Sequence, residues 1–169
     1  MNIILIGMPG CGKTTIGKML ADDLKYQFCD LDIKIENEQK LAITQIFSEY
    51  GESRFRELEN LALVDAMNKK DSIISTGGGI IKRTENVEIM RKFGIVVFID
   101  RPIENIISDV DIKSRPLLLD SKNNLYKLFD ERYDLYRNAC DLHIINNESM
   151  DKVTKNIIDE VKFYENNGC

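Results

Sequence analysis

A chain of 169 residues, 43% of them hydrophobic, is long enough to bury the core of one domain and gives no reason to expect two. Its 23 basic and 28 acidic side chains leave a net charge of -5, which excludes a global field for nucleic acid or an anionic membrane; an anionic substrate then needs local arginines. No basic stretch precedes the first apolar run and none of the apolar runs approaches the roughly 20 residues of a membrane span, so a cytoplasmic protein is expected.

The first strand is expected at Asn2 to Ile6, and it runs directly into Gly7-Met8-Pro9-Gly10-Cys11-Gly12-Lys13-Thr14. That stretch fits the phosphate-binding pattern G-x-x-x-x-G-K-[ST] without mismatch. Glycines at 7, 10 and 12 let the backbone curl and aim successive N–H groups at an anion in front of a helix N-terminus. Lys13 adds charge on the β- and γ-phosphates, and Thr14 offers a hydroxyl for Mg²⁺. The helix from Thr14 to Leu24 places Ile16, Met19, Leu20 and Leu24 on one face. Cys11 reads as a bystander thiol in a free position of the loop.

A short strand around Gln27 to Cys29 leads to Asp30 and Asp32, whose spacing sends both carboxylates to one side of an extended backbone. One can hold Mg²⁺ while the other accepts a hydrogen bond, and in the end a proton, from an attacking hydroxyl. The competing structural role is a helix cap, for which Asp32 is well placed before Ile33. Helices follow at Ile33 to Gln39, Thr44 to Tyr50 and Glu52 to Asn68. On the last, Arg54 and Arg56 differ by roughly 200°, so both cannot face one site. Glu59, three residues beyond Arg56, can orient that guanidinium toward a carboxylate.

The strand Ser72 to Ser75 ends in Gly77-Gly78-Gly79. Three consecutive glycines are costly to order unless the backbone needs unusual dihedrals or close approach, and approach of a small ligand is the favoured reason. Asn86 to Lys92 reads as helix, Ile95 to Ile99 as strand and Ile103 to Ser108 as helix. The polar stretch to Lys113 then precedes Ser114-Arg115-Pro116-Leu117-Leu118, an arginine loop able to close over phosphates and exclude water. Arg132 lies on a helix from Leu125 to Asn138 as a second carboxylate clamp. A strand at Leu142 to Ile145 and a helix at Asp151 to Tyr164, capped by Asn147 or Ser149, close the chain. Strands alternating with helices argue for an α/β fold with a parallel sheet covered on both faces, its ligands beyond the carboxyl ends of the strands.

Cys11, Cys29, Cys140 and Cys169 show no C-x-x-C spacing, and His143, the single histidine, sits in a strand where a packing role is expected. Ser/His catalysis and a histidine-rich zinc site are thereby disfavoured.

Together these residues resemble the shikimate kinase family from Gly7 to the C-terminal helix. The resemblance rests on Gly7 to Thr14, Asp30-x-Asp32, Gly51-Glu52-x-x-Phe55-Arg56-x-x-Glu59, Gly77-Gly78-Gly79, Arg115-Pro116-Leu117-Leu118 and Arg132-x-x-Leu135-Tyr136. The first motif is widely shared; the other five in this order are far more specific. The resemblance implies a three-layer, P-loop, nucleoside-monophosphate-kinase-like α/β fold with a five-stranded parallel sheet. It further implies one 1–169 domain, with acceptor-binding helices at about 31–68 and a mobile lid at about 108–120. The implied reaction moves the ATP γ-phosphoryl group to the 3-hydroxyl of shikimate, in the chorismate route to aromatic amino acids, in a monomer whose partners are these two small molecules.

Carried over by position, Lys13, Asp32 and Arg115 are catalytic. Gly10, Cys11, Gly12, Lys13, Thr14, Thr15 and Arg115 hold ATP, while Thr14 and Asp30 hold Mg²⁺. Asp32, Arg56, Gly77, Gly78, Gly79 and Arg132 bind shikimate. The chain departs from the family in the lid: members commonly carry an early arginine to stack on adenine, where this chain reads Ile107-Ser108-Asp109-Val110-Asp111. Asn146-Asn147 also lacks a basic residue often found there, and Asp134 replaces a frequent proline. A gluconate-type kinase, a nucleoside monophosphate kinase and a non-catalytic nucleotide-binding module are the competing readings.

Overall fold

The computed structural model describes residues 1–109 and 118–167, with 118–122 as helix backbone alone. Five strands form one sheet: β1 (Asn2–Ile6), β2 (Gln27–Asp30), β3 (Ser72–Ser75), β4 (Gly94–Asp100) and β5 (Leu142–Ile145). Their order is β2-β3-β1-β4-β5 and every neighbouring pair is parallel. All five residues of β1 are buried, which is why the strand reads as an unbroken apolar run without alternation.

The helices are α1 (Lys13–Leu24), α2 (Leu31–Gln39), α3 (Ile43–Met67), α4 (Thr84–Phe93), α5 (Ile103–Asp109), α6 (Leu118–Ala139) and α7 (Met150–Asn166), with a 3-10 turn at Ile80–Lys82. They flank the sheet: α1 packs on α7, and α4 lies against β4 and α3. Ile3 to Ile6 of β1, Ile73 and Ile74 of β3, and Val96 to Ile99 of β4 meet Ile16, Leu20, Leu63 and Ile157 in one continuous core.

The connection after β1 runs past β3 to β2, while the one after β3 runs the other way, past β1 to β4, so the adjacent strands β1 and β3 mark a reversal of direction. At such a reversal the loops beyond the strand ends part and a ligand crevice opens. Register delivers the site residues there: Asp30 pairs with Ser75 at the ends of β2 and β3, and Ile6 with Phe98 in β4. The sequence-based elements all appear. The two helices expected at 44–50 and 52–68 are joined into α3, bent at Gly51, whose φ of 78° and ψ of 173° interrupt the helix. No Cβ clash exists at Gly51, so the glycine serves the left-handed backbone alone.

Candidate active site

The loop after β1 takes the shape its glycines allow. Gly7, Gly10 and Gly12 have φ of 146°, 80° and 100°. Cys11 N donates to the Met8 carbonyl at 3.2 Å, closing the turn. Gly12 caps α1 without any side-chain acceptor, so the first amides of that helix and its dipole are available to an anion. The buried Lys13 ammonium donates to the carbonyls of Gly7 and Met8, both at 2.9 Å, and lies 3.7 Å from Cys11 Sγ. Two side chains from neighbouring strand ends brace the loop: Asn146 Nδ2 donates to the Cys11 carbonyl at 2.8 Å, and Arg101 Nη1 to the Gly10 carbonyl at 3.2 Å.

The loop forms one wall of a cavity of about 560 Å³ also lined by Thr14, Thr15, Asp30, Asp32, Gly78 and Arg101. Within it Thr14 Oγ1 donates to Asp30 Oδ2 at 2.8 Å, with Ser75 Oγ 3.5 Å away. Two hydroxyls and a carboxylate are hard oxygen donors, the set that suits Mg²⁺. Asp30 Oδ1 accepts from the amides of Asp32 and Ile33 at 3.1 and 3.4 Å. The cap of α2 is therefore Asp30 rather than Asp32, because the helix begins at Leu31, two residues earlier than the sequence indicates. Capping fixes the Asp30 carboxylate beside Thr14 and leaves the side chain of Asp32 free for the cavity.

Asp32 is half-buried, and its buried Oδ1 has no partner among the described residues. Burial, reinforced by the neighbouring Asp30 charge, pushes its carboxyl above the ordinary range, against the pull of Lys13 and Arg56. Glu59, 0% exposed, accepts from Arg56 Nη1 at 2.7 Å while its other oxygen is unpartnered among the described residues. Burial raises its pKa too, and Arg56 opposes that rise. Arg56 also donates to Glu52 through Nε and Nη2 at 3.3 and 3.2 Å. From α6, Arg132 Nη1 donates to the Gly78 carbonyl at 3.1 Å, leaving its buried Nε without an acceptor among the described residues.

These groups give the glycine triplet a second reason beside the expected approach of a ligand. No residue of Gly77-Gly78-Gly79 has a positive φ. A Cβ on Gly77 would stand 2.8 Å from Glu59 Oε1 and 2.9 Å from Asp32 Oδ1; on Gly78 it would meet the Pro9 ring at 2.8 Å; on Gly79 it would fall on the Arg56 guanidinium. This close approach is made by the protein's own side chains, and the glycines let two carboxylates, an arginine and the phosphate loop gather around one strand end.

The structure thus brings Gly10, Gly12, Lys13, Thr14, Thr15, Asp30, Asp32 and Gly78 around one cavity, and joins Arg56 and Arg132 to it through Gly79 and Gly78. The Cys11 side chain does not line it, since the thiol turns into the core. Arg54 points away and pairs with Glu57 at 2.9 Å. His143 is a packing residue: it stacks on Phe98 and meets Asp100 Oδ2 at 2.7 Å. Arg115, and the lid expectation from 110 to 117, lie outside the described residues. Sequence reasoning gave no role to Ser75, Arg101 or Tyr136, the last named only as the end of a motif. Arg101 lines the cavity and pairs with Asp109 at 2.6 Å. Its position directly after a strand, like Asp30 and the glycine triplet, was the available signal. Tyr136 lies one helical turn beyond Arg132 and bonds the same carbonyl, that of Gly78.

A family model described as shikimate kinase matches residues 9–162. A shikimate kinase from Clostridium beijerinckii is 44% identical over 161 residues, 95% of this chain and 92% of that protein. Among solved structures, a shikimate kinase from Acinetobacter baumannii in complex with shikimate aligns with a TM-score of 0.87 and 34% identity over 95% of this chain and 92% of that one. A shikimate kinase from Aquifex aeolicus aligns with a TM-score of 0.85 and 36% identity over 96% of each chain.

Proposed function

The chain belongs to the shikimate kinase family, and from that premise we propose how its residues divide the work between a donor loop and an acceptor wall. The reaction is ATP-dependent phosphorylation of the 3-hydroxyl of shikimate, giving shikimate 3-phosphate and ADP. It is a step of the chorismate route to aromatic amino acids. The observation that carries the residue assignment is the convergence of Asp32, the Glu59–Arg56 pair and Arg132 on Gly77 to Gly79, at the strand end facing the phosphate loop.

On the donor side, the amides of Gly10 to Thr15 and the Lys13 ammonium bind the β- and γ-phosphates of ATP. Thr14 and Asp30 hold Mg²⁺, with Ser75 beside them. The positive charge such an ion would supply at these oxygens would offset that of the phosphates. On the acceptor side, Arg56 and Arg132 take the shikimate carboxylate. Gly77 to Gly79 line the ring.

Asp32 accepts the proton of the 3-hydroxyl as that oxygen bonds to the γ-phosphorus and the bond to the β,γ-bridging oxygen breaks, releasing ADP. Its raised pKa brings it nearer to neutral pH and makes it a stronger base than an exposed aspartate. Arg115 is assigned by sequence to the charge on the moving phosphoryl group. Because phosphoryl transfer asks little covalent chemistry of the protein, positioning and charge neutralisation supply most of the rate.

The same reading takes residues 1–169 as a single monomeric, cytoplasmic domain, with 31–68 binding the acceptor and 108–120 acting as lid. Among the described residues no helix is long and apolar enough to cross a membrane. A coupled assay of ADP release with shikimate, gluconate and nucleoside monophosphates as acceptors tests the proposal. Turnover with shikimate is expected. Phosphorylation of gluconate or a nucleotide without shikimate, or binding of ATP and shikimate without turnover at any Mg²⁺ concentration, would overturn it.

A further inference from the structure

Tyr136 is fully buried on α6, and the mechanism above gives it no role. Its hydroxyl donates to the Gly78 carbonyl, which also accepts from Arg132 at 3.1 Å. A carbonyl has two lone pairs, so the two donors saturate it. In a trans peptide the carbonyl and the N–H of the next residue point in opposite directions. Pinning Gly78 O therefore also fixes the direction of the Gly79 amide, at the residue that the Arg56 guanidinium abuts.

The ring is as constrained as the hydroxyl. It stacks on Phe98 with centroids 5.1 Å apart and planes at 21°, and Phe98 stacks in turn with His143 at 5.1 Å and 11°. One turn back on the same helix, Tyr133 donates to Asp100 Oδ2 at 3.0 Å, the oxygen that His143 Nε2 also meets. Helix α6 is thus tied to the end of β4 through Tyr133 and to the glycine triplet through Arg132 and Tyr136. Only the latter two reach the acceptor wall.

We propose that Tyr136 is a positioning residue for acceptor binding: by holding the Gly78 carbonyl it fixes the plane of the Arg132 guanidinium and the Gly78–Gly79 peptide as one rigid surface. Burial pushes the phenol pKa well up, so the hydroxyl stays protonated as a donor across the working pH range. The inference rests on the assignment of Arg132 and the triplet to the acceptor.

The test is Tyr136→Phe, which keeps the ring and its stacking and removes one donor. The expected result is a KM for shikimate raised about tenfold, with kcat and the KM for ATP within about twofold of the parent enzyme. In the Arg132→Lys/Tyr136→Phe double variant the rise in acceptor KM is expected to be smaller than the product of the two single effects, because both residues bond one carbonyl. An unmoved acceptor KM accompanied only by a lower melting temperature would overturn the proposal, as would equal increases in both KM values or additive losses in the double variant. Parental turnover of shikimate is the control. Its absence would defeat the functional reading itself, whereas its presence beside an unmoved acceptor KM defeats only the role of Tyr136.

Discussion

The phosphate loop and the Gly77 to Gly79 wall are both glycine-rich turns after buried parallel strands, yet their glycines answer different demands. In the loop all three are held at positive φ, a conformation that costs other residues roughly 1–2 kcal/mol each, so the shared requirement is backbone shape, joined at Gly7 by a lack of room, since a Cβ there would stand 2.5 Å from the Ile99 carbonyl oxygen. In the wall no φ is positive, and each missing Cβ makes room for Asp32, Glu59, Pro9 or Arg56. The donor side is a local structure folded by eight consecutive residues. The acceptor side is a tertiary structure assembled from α2, α3, α6 and one strand end.

That contrast predicts which variants disturb which substrate. The largest effect is expected for Asp32→Asn, which removes the proton acceptor but keeps the volume: kcat should fall by at least about a hundredfold. Stability should move the other way. A carboxyl whose folded pKa is raised contributes stability that is present below its unfolded pKa and lost as pH rises through the folded value. Parent and variant should therefore melt together in acid, and Asp32→Asn should melt higher at neutral pH; thermal scans from pH 4 to 8 check the sign.

Next come the clamps. Arg132→Ala should raise the acceptor KM roughly ten- to a hundredfold, as expected for a hydrogen bond to a charged group. Arg56→Ala should do the same and also leave the fully buried Glu59 without its counter-charge, at a cost of about 3–5 kcal/mol. Adding Glu59→Gln should recover much of the melting temperature but none of the acceptor affinity.

Gly12→Ala forces an alanine to a φ of 100° and brings its Cβ within 3.2 Å of Asn146 Nδ2. Its KM for ATP should rise about tenfold while the acceptor KM stays put, as steady-state kinetics in both substrates would register. Gly51→Ala should have the smallest effect. The site has open space but a φ of 78°, so only backbone strain is added, and the melting temperature should fall a few degrees with both KM values unchanged.

The same difference explains what could be read from the sequence. The donor loop was legible because its geometry is encoded at fixed spacing within a single turn, and the alternation of strands and helices predicted the parallel sheet that carries it. Asp30 and Asp32 were recognised as a pair, but their roles as cap and free carboxylate depended on the first residue of α2, a boundary that sequence patterns locate poorly. Arg56 and Glu59 could be paired because helical spacing is a local rule. The pressure of those two side chains and Asp32 on the glycine triplet was invisible, since it arises where α2 and α3 meet the end of β3. Arg101 was missed, and Tyr136 stood only as the end of a motif, for the same reason: each acts through a carbonyl distant in sequence, of Gly10 and of Gly78.

The measurement that tests the division between a locally folded donor loop and a packed acceptor wall most directly is the pair of Michaelis constants of Gly79→Ala, whose Cβ would displace the Arg56 guanidinium without touching the loop. A KM for shikimate raised at least about tenfold, with the KM for ATP within about twofold of the parent, is predicted. An equal rise in both constants, or a rise for ATP alone, would contradict it.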